Sequence, residues 1–373
     1  MSGKTLTMLA LGDLVLNTGF EKQLALAAPV LRSADVAVTQ LETIFTNRGT
    51  PMWMETPLPG ADPANLEGLS STGLDVITLA GNHCWDQGAP GIEDTINGIR
   101  SMGIATIGTG MNIDEARTPA IINRDGIRFG FLSYNCVGPK EAWARPNKAG
   151  CAYVNIISHY ELDFFSPGSP PKVYTFAEPD DLKAMEEDIR KLRPLCDVLI
   201  VALHKGMMFT PVKLAMYEQP VSYAAIDAGA DLIVSHHPGI IKGVEKYKGK
   251  AIFHGLGSFA KSAPLSLPSP GTKPRRPWIR PDWHELWHDR LGDLLIASDL
   301  KYTIIAKCTI DGKHGISRLA CLPCIINDWG QPEICKNDVR GQQVFDYLEK
   351  ITSEAGLNVQ YGWEGDEIAF WMD

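Results

Sequence analysis

An α/β fold with helices laid over sheets is the architecture this sequence predicts, and two observations carry the prediction. Short runs rich in Val, Ile, Leu and Phe recur along the chain, each bounded by Gly, Asp or Asn. Stretches with the apolar spacing of helices lie between several of them, and alternation of this kind packs helices against sheets.

The strand-like runs are 5–11, 35–38, 75–79, 103–107, 119–122, 128–133, 197–203, 231–234 and 251–254. The helical patterns are 20–32, 88–102, 180–193 and 213–228. Residues 262–290 break the rhythm. Ser, Pro, Gly and basic residues come first, then Trp278, Trp283 and Trp287 with His284 and His288. Prolines at 264, 268, 270, 274, 277 and 281 oppose a membrane-binding helix there. The segment reads as an insertion over 262–300, a lid over the cleft or an oligomer contact. Beyond it, 301–310 and 314–322 read as a hairpin around Asp311-Gly312. A helix over 339–355 ends at Gly356. The expected organisation is a core over 1–261, the insertion, and a hairpin and helix over 301–373 that complete it.

Composition narrows the function classes. The chain has 373 residues, 45% hydrophobic and 21% charged, which is ordinary for a globular enzyme. A net charge of -9 opposes broad nucleic-acid binding, which needs a basic face. No window approaches the roughly 18 uninterrupted apolar residues of a membrane span. The N-terminal apolar run is short and ends in Asp13, so it reads as a buried strand rather than a signal peptide, and a cytoplasmic location is expected. Among eight cysteines, Cys321 and Cys324 stand at Cys-x-x-Cys spacing, with Cys308 and Cys335 nearby. The second pair lacks matching spacing, so reduced cysteines in a β region are expected over a structural zinc site. Oligomeric state is left open, a homo-oligomer included.

Chemistry gathers at the strand ends. Asp13 follows the first strand, Glu42 the second, and Gly81-Asn82-His83 the third. His204 closes the run at 197–203, and His236-His237 follow 231–234. Carboxylates at strand ends cost desolvation unless a cation or hydrogen bonds compensate them. Asn supplies a neutral oxygen to a divalent metal, and an adjacent His can act as a general acid. Two acids, an Asn and several histidines in equivalent places point to a metal site. Mixed oxygen and imidazole donors suit Mn²⁺, Zn²⁺ or Fe²⁺ rather than Ca²⁺.

These blocks follow one another in a recognisable order. Gly12-Asp13, Gln40-Leu41-Glu42, the run from Gly81-Asn82-His83 to Gly88, His204-Lys205-Gly206, Gly229 to Gly239, and Gly243 through Phe259 resemble the CapA (poly-γ-glutamate biosynthesis) family over about residues 6–260. That family is similar to calcineurin-like metallophosphoesterases, which implies a four-layer αββα sandwich. The resemblance implies Asp13, Glu42, Asn82, His204 and one of His236 and His237 as metal ligands, with Glu42 bridging. It further implies His83 as acid or transition-state contact, with Asp86 orienting it. Two departures stand out. The usual Asp-x-His reads Asp13-Leu14-Val15, and the usual Gly-His-His-Pro-His reads Ser235-His-His-Pro-Gly239. One metal position is therefore intact and the other weakened, leaving one or two ions. Lys205, where tryptophan is usual, implies an anionic substrate, and Arg145, Trp143 and Tyr134 are expected to line the pocket.

The implied reaction is metal-assisted hydrolysis of an amide, lactam or γ-glutamyl-type bond in a small, anionic substrate. Phosphoester hydrolysis is the nearest alternative. A non-catalytic subunit assisting poly-γ-glutamate synthesis or export is the other.

Overall fold

The computed structural model describes residues 5–52, 60–162, 164–165, 168, 171–262 and 299–372. Almost all of the expected insertion over 262–300, its three tryptophans included, lies outside the described residues.

Among the described residues the chain begins with β1 (Thr5–Val15), α1 (Phe20–Leu24), α2 (Ala28–Ser33), β2 (Val36–Leu41), β3 (Val76–Thr78), α3 (Gly88–Ser101), β4 (Ala105–Ile107) and β5 (Thr109–Gly110). There follow α4 (Ile113–Ala116), β6 (Ala120–Arg124), β7 (Ile127–Asn135), β8 (Gly150–Cys151), β9 (Ile156–Glu161), β10 (Lys172–Ala177), α5 (Pro179–Leu192) and β11 (Val198–His204). Then come α6 (Glu218–Ala228), β12 (Leu232–His236), β13 (Val244–Tyr247), β14 (Lys250–Phe253) and β15 (Ser258–Lys261). The chain closes with β16 (Tyr302–Asp311), β17 (Ile316–Ile326), β18 (Pro332–Ile334), α7 (Val339–Glu354), β19 (Gln360–Glu364) and β20 (Glu367–Trp371).

Two large sheets face each other. One runs β19-β20-β17-β16-β1-β2-β3-β4, with β15 on β1 and β18 on β17; the other runs β13-β14-β12-β11-β7-β6. Side chains alternate faces along each strand, and the sequence uses both. Leu6, Met8 and Ala10 of β1 meet Val198, Ile200 and Ala202 of β11 in the core between the sheets. Leu9 and Leu11 point the other way, into a second core with Phe20 of α1, Leu31 of α2 and Ile92 and Ile96 of α3. Leu199, Val201 and Leu203 likewise leave the inner core for Met185 and Ile189 of α5 and Val221 and Ala225 of α6. Helix, sheet, sheet, helix is therefore the layer order, the four-layer sandwich expected. Helix α7 covers the inner face beside β17 through Val344, Leu348 and Ile351.

Some elements depart from expectation for local reasons. The helix expected over 20–32 is interrupted at residues 25–27, and α2 restarts with Pro29 in its first turn, where a missing N–H costs nothing. The pattern at 213–228 becomes helical only from Glu218, whose carboxylate accepts the Ala215 N–H at 2.7 Å. Strands β5, β8, β9, β10, β13, β15, β18, β19 and β20 lie outside the apolar runs, because each has six residues or fewer and most mix polar with apolar positions. Cys321 packs in the inner core and Cys324 in the outer one, on opposite faces of β17, and all eight thiols are free and buried. That separation removes the Cys-x-x-Cys zinc reading.

At Gly12 strand β1 shifts register and passes directly over β15. A Cβ there would lie 1.9 Å from the Gly257 carbonyl oxygen, while the Asp13 N–H donates to that same oxygen at 3.0 Å. Gly12→Ala is therefore expected to push β15 off β1 and destabilise the protein by about 1–3 kcal/mol or more, as overpacking does. Urea unfolding at constant m-value checks it.

Candidate metal centre

Parallel pairing of β1 with β2 and of β11 with β12 sends their carboxyl ends to one edge of the sandwich. His204 stands directly opposite His236 in the β11–β12 register, so both rings leave the sheet on the same side. Asp13 lies near the end of β1 and Glu42 one residue past β2. One carboxylate oxygen from each and one imidazole nitrogen of His204 all lie within 4.8 Å of one another. Nε2 of His204 is 2.8 Å from Asn82 Oδ1 and 3.9 Å from Glu42 Oε1. A side chain at position 81 would press on Gln40 and the His204 ring at 3.1 and 3.3 Å, so Gly81 lets Asn82 reach in.

Electrostatics mark this cluster as unbalanced. Burial, then the neighbouring Glu42 charge, holds the Asp13 carboxyl well above the usual carboxylate range. Glu42 is also raised, chiefly by burial, against the pull of His83 and Lys261. Asp13 Oδ2 accepts the His237 N–H at 3.1 Å, but Oδ1 is buried with no hydrogen-bond partner. Burial, with His237, His236 and His83 nearby, depresses His204 well below its ordinary value, which keeps it neutral and able to donate a lone pair. A buried orphan carboxylate oxygen beside a second carboxylate, a neutral imidazole and an amide oxygen fits a divalent ion of the first transition row.

The two adjacent histidines differ in role. His236 donates from Nε2 to the Leu11 carbonyl at 3.0 Å, leaving Nδ1 buried without a partner. Burial lowers it to about 4. His237 has a backbone φ of 92°, a strained value for a side-chain-bearing residue. That conformation aims its N–H at Asp13, and its ring centroid lies 4.9 Å from that of His204.

His83 follows Asn82 in the turn leading to α3. Its Nδ1–H donates to Asp86 at 2.7 Å, and its side chain is 22% exposed against 1% for Asp86. Burial pushes the imidazole down, but the hydrogen bond and charge of Asp86, with Glu42, outweigh it and raise the pKa. His83 is thus a proton-bearing group of the centre that solvent reaches.

Two expected substrate contacts lie elsewhere. Lys205 is fully buried: its Nζ is 2.8 Å from His254 Nδ1 and 3.6 Å from Glu218. Successive residues of a strand point to opposite faces, so following His204 turns Lys205 away from the cluster. Tyr134 is buried in the core beneath α5, where its hydroxyl donates to Asp188 at 2.9 Å. Trp143 packs with Ala80 and Cys84 around the Asn82 turn and stacks on Tyr153 at 4.4 Å. Arg145 is exposed and donates to the Tyr153 hydroxyl at 2.8 Å.

Sequence reasoning missed Lys261, at the end of β15, whose mostly buried ammonium acts on Glu42 and Asp13. A basic residue closing a short run after Leu256-Gly-Ser-Phe259 was the available signal. It also missed the charge network behind the centre. Glu218 faces Lys205 and Lys242, and His254 bridges Lys205 to Glu245 at 2.8 Å.

The four-layer αββα sandwich thus carries a candidate divalent-metal site of carboxylates, an amide oxygen and an imidazole at its strand ends. Residues 3–263 match the model of the bacterial capsule synthesis protein PGA_cap family, and the chain belongs to that family. It is 26% identical to the capsule biosynthesis protein CapA of Bacillus anthracis, over 53% of this chain and 43% of that protein. It is 24% identical to the PGA biosynthesis protein CapA of Bacillus subtilis, over 62% of this chain and 54% of that one. The chain thus spans about half the length of the curated relatives it matches. A solved structure described as a novel phosphatase of Mycoplasma pneumoniae superposes over 92% of this chain and 99% of its own, at 13% identity and a TM-score of 0.48. No helix among the described residues is long and apolar enough to cross a membrane.

Two outcomes are expected. Asp13 and Glu42 have folded-state pKa values above their unfolded ones. In the metal-free protein they therefore contribute stability at acid pH that is lost as pH rises through the folded values. A bound divalent ion reverses that penalty, so the rise in Tm on adding Mn²⁺ or Zn²⁺ should grow as pH rises above the usual carboxylate range. Differential scanning calorimetry with and without metal reads it. Separately, Glu218→Gln leaves Lys205 and Lys242 facing each other in the core and should cost about 3–5 kcal/mol in chemical denaturation.

Proposed function

We propose that the protein is a divalent-metal-dependent hydrolase acting on an amide, lactam or γ-glutamyl-type bond of a small anionic substrate. The single observation that carries this reading is the largely buried cluster of Asp13, Glu42 and His204, with an orphan carboxylate oxygen and Asn82 Oδ1 beside it. Asp13, Glu42, Asn82 and His204 would hold the ion. His236 is the better fifth donor of its pair, because its Nε2–H is already committed to a backbone carbonyl and its Nδ1 is orphaned, the usual arrangement of a metal-binding histidine. His237 then orients Asp13 through its N–H. Mn²⁺, Zn²⁺ and Fe²⁺ all suit this donor set.

A divalent ion supplies polarisation of the scissile oxygen and acidifies an attacking water from 15.7 toward about 7. The chain's own residues do the rest. His83, kept protonated by Asp86, delivers a proton to the leaving group at the partly exposed side of the centre. Arg145 and the Trp143–Tyr153 stack flank the turn that carries His83, and a guanidinium there suits a substrate carboxylate. Preference for a C–N bond rests on the poly-γ-glutamate relatives; the same donors would serve a phosphoester.

A non-catalytic role has one specific support. A relative from Mycobacterium tuberculosis, 27% identical over 62% of this chain and 57% of that protein, is described as a "probable polyglutamine synthesis accessory protein". The partly exposed, Asp86-paired His83 favours the enzyme, since an accessory scaffold has no use for a poised acid.

Elemental analysis of the purified protein beside Asn82→Ala and His204→Ala tests the centre. Metal in the wild type, lost in both variants with the fold retained by circular dichroism, is expected; no metal under any loading condition would sink the hydrolase. On a panel of γ-glutamyl amides, lactams and phosphoesters, His83→Ala should lower kcat about 10²–10⁴-fold. Asp86→Asn should move the alkaline limb of the kcat profile to lower pH, because it removes what raises His83.

A further inference from the structure

Lys261 is fixed with unusual care for a residue at the end of a four-residue strand. Its N–H donates to the Gly330 carbonyl at 3.1 Å, and its carbonyl accepts from Gln23 Nε2 at 2.9 Å. Strand β15 runs parallel to β1 with Ser258 opposite Asp13 and Lys261 opposite Val15. The Gly12–Gly257 contact holds the two strands hard together. Lys261 thus shares the edge of the sandwich with both acids, across from the position where Asp13-Leu14-Val15 has no donor. Its mostly buried ammonium acts on Glu42 and Asp13, yet among the described residues it closes no direct ion pair with either. The ammonium is therefore within electrostatic reach of both carboxylates without being paired to either.

Charge decides what the cluster can hold. Two carboxylates against one ammonium leave a single negative charge, with His204 and Asn82 neutral. One divalent ion turns this into a single positive charge. Two divalent ions would leave three, gathered around a mostly buried ammonium whose backbone is held in place. We infer that Lys261 is a built-in second cation, which restricts this centre to one divalent ion. The inference rests on the metal-centre reading above.

The test is the stoichiometry and affinity of Mn²⁺ binding to the full chain, read by isothermal titration and elemental analysis rather than by turnover. Wild type should bind one equivalent. Lys261→Met should either bind that ion at least tenfold more tightly or take up a second equivalent. Lys261→Gln, which keeps a polar terminus in the same slot, should follow it. Lys261→Arg, which keeps the charge, should stay at one equivalent with a Kd near that of wild type. A wild type holding two ions, or Met and Gln variants with unchanged Kd and stoichiometry, overturns the role of Lys261 and leaves the centre standing. Metal retained in full by His204→Ala, or none bound by wild type, overturns the centre and the inference together.

Discussion

The constraint on which the rest depends is the meeting of Asp13 and Glu42 inside the protein with too little positive charge to balance them. Desolvation of a carboxylate is among the largest single costs a fold carries, and here a buried one and a mostly buried one lie within reach of one another. Nothing in the packing of the sandwich requires them. The inner core is complete with Leu, Ile, Val and Phe, and the cluster sits beyond its edge, at the carboxyl ends of parallel strands. Several local features make sense only as service to that cluster. The strained His237 backbone aims one N–H at Asp13, the missing Cβ at Gly81 admits Asn82 beside His204, and Gly12 lets β15 bring Lys261 alongside.

The buried charges behind the centre form an instructive contrast. Lys205 and Lys242 face Glu218 and, through His254, Glu245, so that two ammonium groups meet two carboxylates. Burial lowers both lysines, and Glu218 is held down by them despite its own desolvation. Balanced in this way, the network ties β11, α6, β13 and the loop after β14 together and needs no ligand. Asp13 and Glu42, counted in the same way, leave a charge unaccounted for. Two buried clusters lie one residue apart on β11, and only one is neutral.

Much of this is legible in the amino-acid sequence itself. The inner strands β1, β2, β7, β11 and β12 are long apolar runs, and buried strands of this kind announce themselves by composition alone. Their ends are legible because Gly-Asp, Gly-Asn-His and Ser-His-His interrupt those runs abruptly. What the sequence hides is direction and pairing. Lys205 follows His204 in the chain, and only strand alternation reveals that it faces the opposite side. Tyr134 sits late in β7, near the ends of the neighbouring strands, but its odd or even position on that strand decides between pocket and core. Lys261 is invisible for the converse reason: β15 is four residues long, and its importance comes from the N-terminal strand that it happens to pair with.

The difference between Lys205 and Lys261 bears on how an anionic substrate is recognised. A lysine next to a ligand in sequence reads as the anion contact, yet it is locked in a neutral network that a substrate could not reach without unfolding it. The cation that does bear on the centre comes from a different strand and is fixed at its backbone rather than through an ion pair. A backbone anchored in that way sets the charge at the sandwich edge beside the two acids, paired with neither. Under the proposed function, the exposed Arg145 beside the Trp143–Tyr153 stack is a second cation available to substrate charge. The cation that bears on this centre is therefore found by following strand pairing, not by looking for a residue adjacent to a ligand in the chain.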